Sequence, residues 1–171
     1  GEEFLSSISV RSENVKELIV DIKEAVSFKP DMVEWRIDCF KPVTEDDFEV
    51  NSEVKVEGKL VATLKEVNDI LNGIPLLLCF RSFDEGGASK VSEDFRLKMM
   101  VACMNTRLIN FLDVEINGDG ESIKEIRAIA KQNNIKLILS HTSFDSLQSE
   151  DQLINKAIEG QHKGADLIKL L

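Results

Sequence analysis

An α/β fold built on a parallel sheet is predicted by three observations. Short β-type runs alternate strictly with longer stretches of helical periodicity, six of the first with five of the second between them. The run over 75–80 is apolar throughout, as in a strand buried on both faces. No low-complexity tract or Pro/Ser-rich linker divides the 171 residues, so 1–171 reads as a single domain. Strict βα alternation implies right-handed crossovers and leaves two architectures, an open doubly wound sheet or a (β/α)₈ barrel. An open nucleotide-binding sheet wants a glycine-rich turn after its first strand, and Val10-Arg11-Ser12-Glu13 contains no glycine. Six units is two short of a barrel, which typically takes about 250 residues.

The elements follow in order. Strand one is read over 5–10, and Val15, Leu18, Ile19, Ile22 and Val26 put a helix over 14–28. Strand two covers 31–37, and the acidic stretch 41–53 reads as a long loop or irregular insertion. A helix over 59–72 ends at Gly73, and strand three follows at 75–80. Gly86-Gly87 breaks the chain, and Ser92 can cap a helix running to about Cys103. Strand four is 108–115, and Ile123, Ile126, Ile129 and Ala130 mark a helix over 122–132. Strand five is 135–140, the next helix is 150–159, and strand six is 167–171.

Composition removes several function classes. Apolar residues at 43% with 30% charged are ordinary for a globular domain. A net charge of −10 with no basic stripe argues against nucleic acid and against an anionic membrane surface. No apolar run reaches a membrane span, and Gly1-Glu2-Glu3-Phe4 lacks the head of a signal peptide. Cys39, Cys79 and Cys103 are odd in number and widely spaced, which fits reduced thiols in a cytoplasmic protein. They show no zinc-ligand spacing, so no metal is expected.

Polar groups gather at the strand ends, where barrels carry their chemistry. In order these are Ser9, Glu34 with Arg36, Arg81 with Glu85, Asp113 with Glu115, Ser140-His141-Thr142, and Lys169. Glu34 and Arg36 are two apart and share a face of strand two. One such pair is as readily a structural ion pair as a site, but polar groups at strand end after strand end are hard to read as structural alone. Lys169, flanked by Ile168 and Leu170, is expected to have a depressed pKa and to serve as an amine nucleophile toward a carbonyl. An edge-strand lysine that discourages pairing is its bland alternative. Two arginines and several carboxylates around an amine point to carbonyl chemistry on an anionic small molecule.

The pieces Ile8-Ser9-Val10, Glu34-Trp35-Arg36-Ile37-Asp38, Phe80-Arg81-Ser82 with Glu85-Gly86-Gly87, Asp113-Val114-Glu115 and Gly164-Ala165-Asp166 before Lys169 carry a resemblance over essentially the whole chain. It resembles the type I 3-dehydroquinate dehydratases, Schiff-base hydro-lyases of the shikimate pathway of aromatic amino-acid biosynthesis. The resemblance implies an incomplete (β/α)₈ TIM barrel, a small anionic carbocyclic substrate, no cofactor or metal, and self-association as a homodimer or otherwise. It implies Lys169 as the imine-forming residue, Glu85 as the carboxylate that orients the histidine, and Ser9, Glu34, Arg36 and Arg81 as substrate-binding residues. The lysine would condense with the C3 ketone of 3-dehydroquinate; loss of the C2 proton and the C1 hydroxyl, then hydrolysis, would release 3-dehydroshikimate.

Two departures accompany it. The family's shuttle histidine stands in Ser-x-His-x-Phe, where this chain has Ser140-His141-Thr142-Ser143-Phe144, so Thr142 occupies the position and His141 lies one residue early. One residue along a strand turns a side chain to the opposite face. His141 is the catalytic histidine only if the strand end is bulged. The loop departs too, with Leu147-Gln148 where the family usually has Thr-Pro. The family also continues through two more βα units, so strands one and six are expected to have unpaired edges. The alternative expectation is a catalytically impaired homologue that keeps the pocket as a binding module. A class I aldolase of another lineage would share the lysine but not Glu34-Trp35-Arg36 or Glu85-Gly86-Gly87. His162 is read as a solvated turn residue.

Overall fold

The computed structural model describes residues 5–49, 53–143 and 148–171. Six parallel strands form one sheet in the order of the chain: β1 (Ser7–Val10), β2 (Met32–Arg36), β3 (Leu76–Cys79), β4 (Phe111–Glu115), β5 (Lys136–His141) and β6 (Leu167–Leu170). A doubly wound sheet reverses its strand order at a switch point. This order never reverses, so the chain winds in one sense as a barrel does. The result is an incomplete barrel: β1 pairs only β2 and β6 pairs only β5 among the described residues.

The helices are α1 (Val15–Ser27), α2 (Glu45–Glu49), α3 (Glu53–Leu71), α4 (Glu93–Asn105), α5 (Gly120–Gln132) and α6 (Glu150–His162). Four of the starts are fixed by local caps. Asn14, Ser92, Asp119 and Ser149 each accept a bond from a first-turn amide, and Ser149 with Gln152 completes a capping box. The loop expected over 41–53 instead contains α2, and α3 starts six residues earlier than 59. Thr44 donates its amide to Asp47 at 2.8 Å, and Glu45, Asp46 and Asp47 suit the positive end of a helix. Acidity there stabilises a helix start rather than a loop. His162 closes α6 and is exposed.

The two sheet faces differ in kind. Val33, Trp35, Leu76, Leu78, Leu112, Leu137 and Leu139 alternate onto the helix-covered face and are 0–1% exposed. They pack with Leu18, Ile22, Leu60, Leu64, Val67 and Leu71 of α1 and α3. Each such side chain contributes about 1.5–3 kcal/mol, so this layer holds the sheet. The opposite face carries Glu34, Arg36, Cys79, Asp113, Ser140 and Lys169, which register pairing lines up across β2 to β6.

Candidate active site

The polar face is held together by ion pairs that cross the strands. Lys169 Nζ lies 3.0 Å from Glu34 Oε1 and 3.3 Å from Asp113 Oδ2, residues 135 and 56 positions away in the chain. Arg81 donates to Ser140 Oγ at 2.8 Å and to Asp113 at 3.3 Å, and Ser140 in turn donates to Asp113. Arg81 also faces Glu85 at 3.6 Å and Glu115 at 3.9 Å. Glu115 is shared with Arg96 of α4 at 3.1 Å and accepts the Ser82 amide at 2.6 Å.

Arg36 does not pair with Glu34, the neighbour two residues back. Its Nε and Nη2 donate to both oxygens of Asp38 at 2.7 and 2.8 Å. Asp38 follows β2 on a single 3₁₀ turn and also accepts the Ala88 amide at 2.9 Å. These bonds hold its carboxyl below the usual range against the opposing pull of burial. The Asp38–Ala88 bond ties down the loop that carries Glu85. Two glycines allow that loop its path: Gly86 has φ +84°, and a Cβ on Gly87 would stand 2.2 Å from the Arg81 carbonyl oxygen.

Asp38→Asn is therefore expected to destabilise the fold by about 3 kcal/mol, because it strands a buried guanidinium. The lowered pKa of Asp38 means its contribution is present above the unfolded carboxyl value near 4 and lost as pH falls below it. Urea melts should show the full wild-type advantage at pH 7 and a shrinking one below about pH 4. An equal gap at both pH values would remove Asp38 from this role.

Lys169 does not behave as its flanks suggest. Burial alone would pull its pKa down, but Asp113 and Glu34 outweigh burial and raise it, so the resting group is an ammonium. Glu34 shows the mirror effect: burial pushes it up, while Lys169, the Ser9 hydroxyl and Arg36 bring it below the usual range. Glu85 is raised, first by burial and then by Glu115, with Arg81 only partly compensating.

Ser9 sits exposed at the open rim beside Glu34. Thus Ser9, Glu34, Arg81, Glu85 and Lys169 belong to one connected cluster, and Arg36 joins it through Asp38, which also accepts the Arg81 amide at 3.4 Å. His141 stands apart from Lys169. Strand alternation turns it away from Ser140, and its ring nitrogens lie 2.8 Å from Gln148 Nε2 and 3.4 Å from Asn117 Nδ2. A neutral imidazole accepts from only one of two amides, so one amide must present its oxygen. Gln148 Oε1 is buried and unpaired as placed. Asn117 Nδ2 is also 3.5 Å from Glu85, which links Glu85 to His141 only through that amide. Thr142 is half-buried, one residue past the end of β5. Phe144 and Leu147 lie outside the described residues.

Sequence reading named Asp113, Glu115 and Ser140 only as strand-end groups, yet Asp113 bonds Lys169, Arg81 and Ser140 alike. Cys79 and Arg96 were not singled out for the site. Period-two spacing from Glu115 and Arg81 would have placed both Asp113 and Cys79 on the polar face.

Set against known proteins, residues 6–171 match the family model for type I 3-dehydroquinase. A 3-dehydroquinate dehydratase of Clostridioides difficile is 31% identical over 163 residues, covering 95% of this chain and 60% of the relative. One from Listeria monocytogenes is 31% identical over 140 residues, 82% of this chain and 51% of the relative. The chain therefore spans between half and three-fifths of the length of these relatives. A solved type I 3-dehydroquinate dehydratase of C. difficile, with covalently modified comenic acid, superposes with TM-score 0.86 at 29% identity over 99% of this chain and 63% of that one. A Geobacillus kaustophilus 3-dehydroquinate dehydratase gives TM-score 0.86 at 24% identity, over 99% of this chain and 62% of that one, and shows the fold.

Proposed function

Because the chain belongs to the type I 3-dehydroquinase family, we propose that its polar face is a Schiff-base dehydratase site for 3-dehydroquinate, with Lys169 as the imine-forming residue. The observation that carries this is Lys169 seated between Glu34 and Asp113 at the C-terminal end of the sheet. An ammonium bonded to two carboxylates can pass its proton to either, which frees the amine as the ketone arrives. The amine adds to C3, water leaves, and the iminium accepts electron density as the C2 proton departs. The C1 hydroxyl leaves as water, and hydrolysis returns Lys169. Arg81 and Arg36 position polar groups of the substrate, with Ser9 at the rim. Arg36 spends two donors on Asp38, so it offers only its Nη1 edge. Glu85, pushed above the usual carboxylate range by burial and Glu115, takes the role of the carboxylate that orients the histidine, reaching His141 through the Asn117 amide.

The test is turnover of 3-dehydroquinate, read as the ultraviolet absorbance of the conjugated product. Absorbance growth that depends on Lys169 supports the reading; binding of substrate with no product supports a second one. That second reading, a catalytically impaired homologue, is favoured by the ring of His141 lying between Gln148 and Asn117 rather than beside Lys169.

The cellular setting follows the same lines. Three free cysteines fit a reducing cytoplasm, and among the described residues no helix is long and apolar enough to cross a membrane. Self-association is proposed through β1 and β6, each of which pairs with one neighbour among the described residues. Light scattering at micromolar concentration should return at least twice the 19.2 kDa chain mass. A compact monomer that binds no hydrophobic dye would sink that expectation.

A further inference from the structure

Cys79 lies in the middle of the polar face, between Arg36 on β2 and Asp113 on β4 in register. Cys79 is 1% exposed, and its free thiol carries no hydrogen bond among the described residues. A thiol buried in a leucine layer needs no partner, but this one faces carboxylates. One ligand atom from each of Glu34, Cys79 and Asp113 falls within 4.8 Å of the others. All three residues are buried, and they come from three neighbouring strands, which rigid backbone pairing holds in place.

We propose that Glu34, Cys79 and Asp113 form a binding site for a thiophilic divalent cation of the zinc class, which competes with the Lys169 ammonium for the two carboxylates. Zinc takes sulfur at about 2.3 Å and carboxylate oxygen at about 2.0–2.2 Å, so its ligand atoms stand up to about 4 Å apart. The observed cluster, whose ligand atoms lie within 4.8 Å of one another, closes up by side-chain rotation to reach that geometry. Sulfur selects against magnesium and calcium, which prefer oxygen alone.

Charge is accommodated as well. Two carboxylates and a thiolate exceed the cation by one negative charge, and Arg81, 3.3 Å from Asp113, offsets it. Cys79 gives up its proton to water on binding, and no redox change is involved. Access is by way of Lys169, whose side chain is 29% exposed while Glu34 and Asp113 are nearly closed. The cation and the Lys169 ammonium both draw on the carboxylates of Glu34 and Asp113, so they compete there. Three protein ligands leave open positions, the pattern of a site that binds without being a closed structural centre.

The consequence for imine formation rests on the Lys169 reading above; the binding site itself does not. The two are separated by titrating the full chain with cobalt(II), which gives a near-ultraviolet thiolate charge-transfer band. A band that saturates at one cobalt per chain, disappears on adding zinc, is absent from Cys79→Ser and survives in Cys39→Ser is the expected result. Glu34→Gln, which keeps the sulfur, should retain the band and weaken binding at least about tenfold, since even a supporting group is worth 10–100-fold. A band that persists in Cys79→Ser, or no band in the wild type at millimolar cobalt, overturns the site. Zinc should also suppress borohydride capture of 3-dehydroquinate at Lys169 by at least about tenfold in the wild type but not in Cys79→Ser. Capture unchanged by bound zinc overturns the competition. An absence of capture even without zinc counts against the imine reading, and cobalt still decides the metal site.

Discussion

Borohydride reduction in the presence of 3-dehydroquinate is expected to leave a permanent mass increment on Lys169, and Lys169→Arg is expected to remove it completely. Arginine keeps a cation between Glu34 and Asp113, so the polar face stays paired and the loss is not a folding defect. Its guanidinium stays protonated throughout the working range and cannot form an imine. Turnover should fall to the uncatalysed background. The pH dependence has a definite sign. Burial opposes the ammonium, but Asp113 and Glu34 prevail and hold the Lys169 pKa above its ordinary value. Capture should therefore accelerate as pH rises below that pKa, as the neutral fraction grows. Mass spectrometry that finds the adduct on Lys163 or another lysine would refute the assignment, whatever the rate.

The second large effect is a gain. Thr142→His should raise turnover by about 10²–10⁴-fold, the usual worth of a positioned acid–base group. Threonine is a very poor base at neutral pH, whereas imidazole is matched to it. Alternation along β5 puts Ser140 on the polar face and His141 on the other, so residue 142 is the next to return. His141→Ala serves as the control: it breaks contacts to Gln148 and Asn117 and should lower the melting temperature with little effect on turnover. If His141→Ala abolished turnover while Thr142→His left it unchanged, proton transfer would belong to His141 after all.

Legibility varied with the range of the interaction that decides each feature. The helix start at Ser92 was readable because a cap and the amide it binds are three residues apart. The acidic stretch around Asp47 misled, since the same carboxylates serve a solvated loop and a helix N-terminus. The polar strand ends were visible as residues, and most of the groups singled out there do meet in one cluster. Their partners were not visible. Arg36 prefers Asp38 on the following turn to Glu34 on its own strand, and that choice depends on where the chain goes after β2.

By itself the sequence determined the βα alternation and the apolar and polar faces of the strands, because periodicity is a local property of the chain, and its motifs carried the resemblance to the family. Only the tertiary structure decided the winding, in which the strand order runs from β1 to β6 without reversal. It alone decided the charge state of Lys169 as well. Apolar neighbours in sequence argued for a depressed pKa, but Asp113 and Glu34, 56 and 135 residues away, lie 3.3 and 3.0 Å from the nitrogen. Coulomb attraction falls off with distance in space and is blind to separation along the chain, so a group's titration is settled by the carboxylates that folding brings beside it.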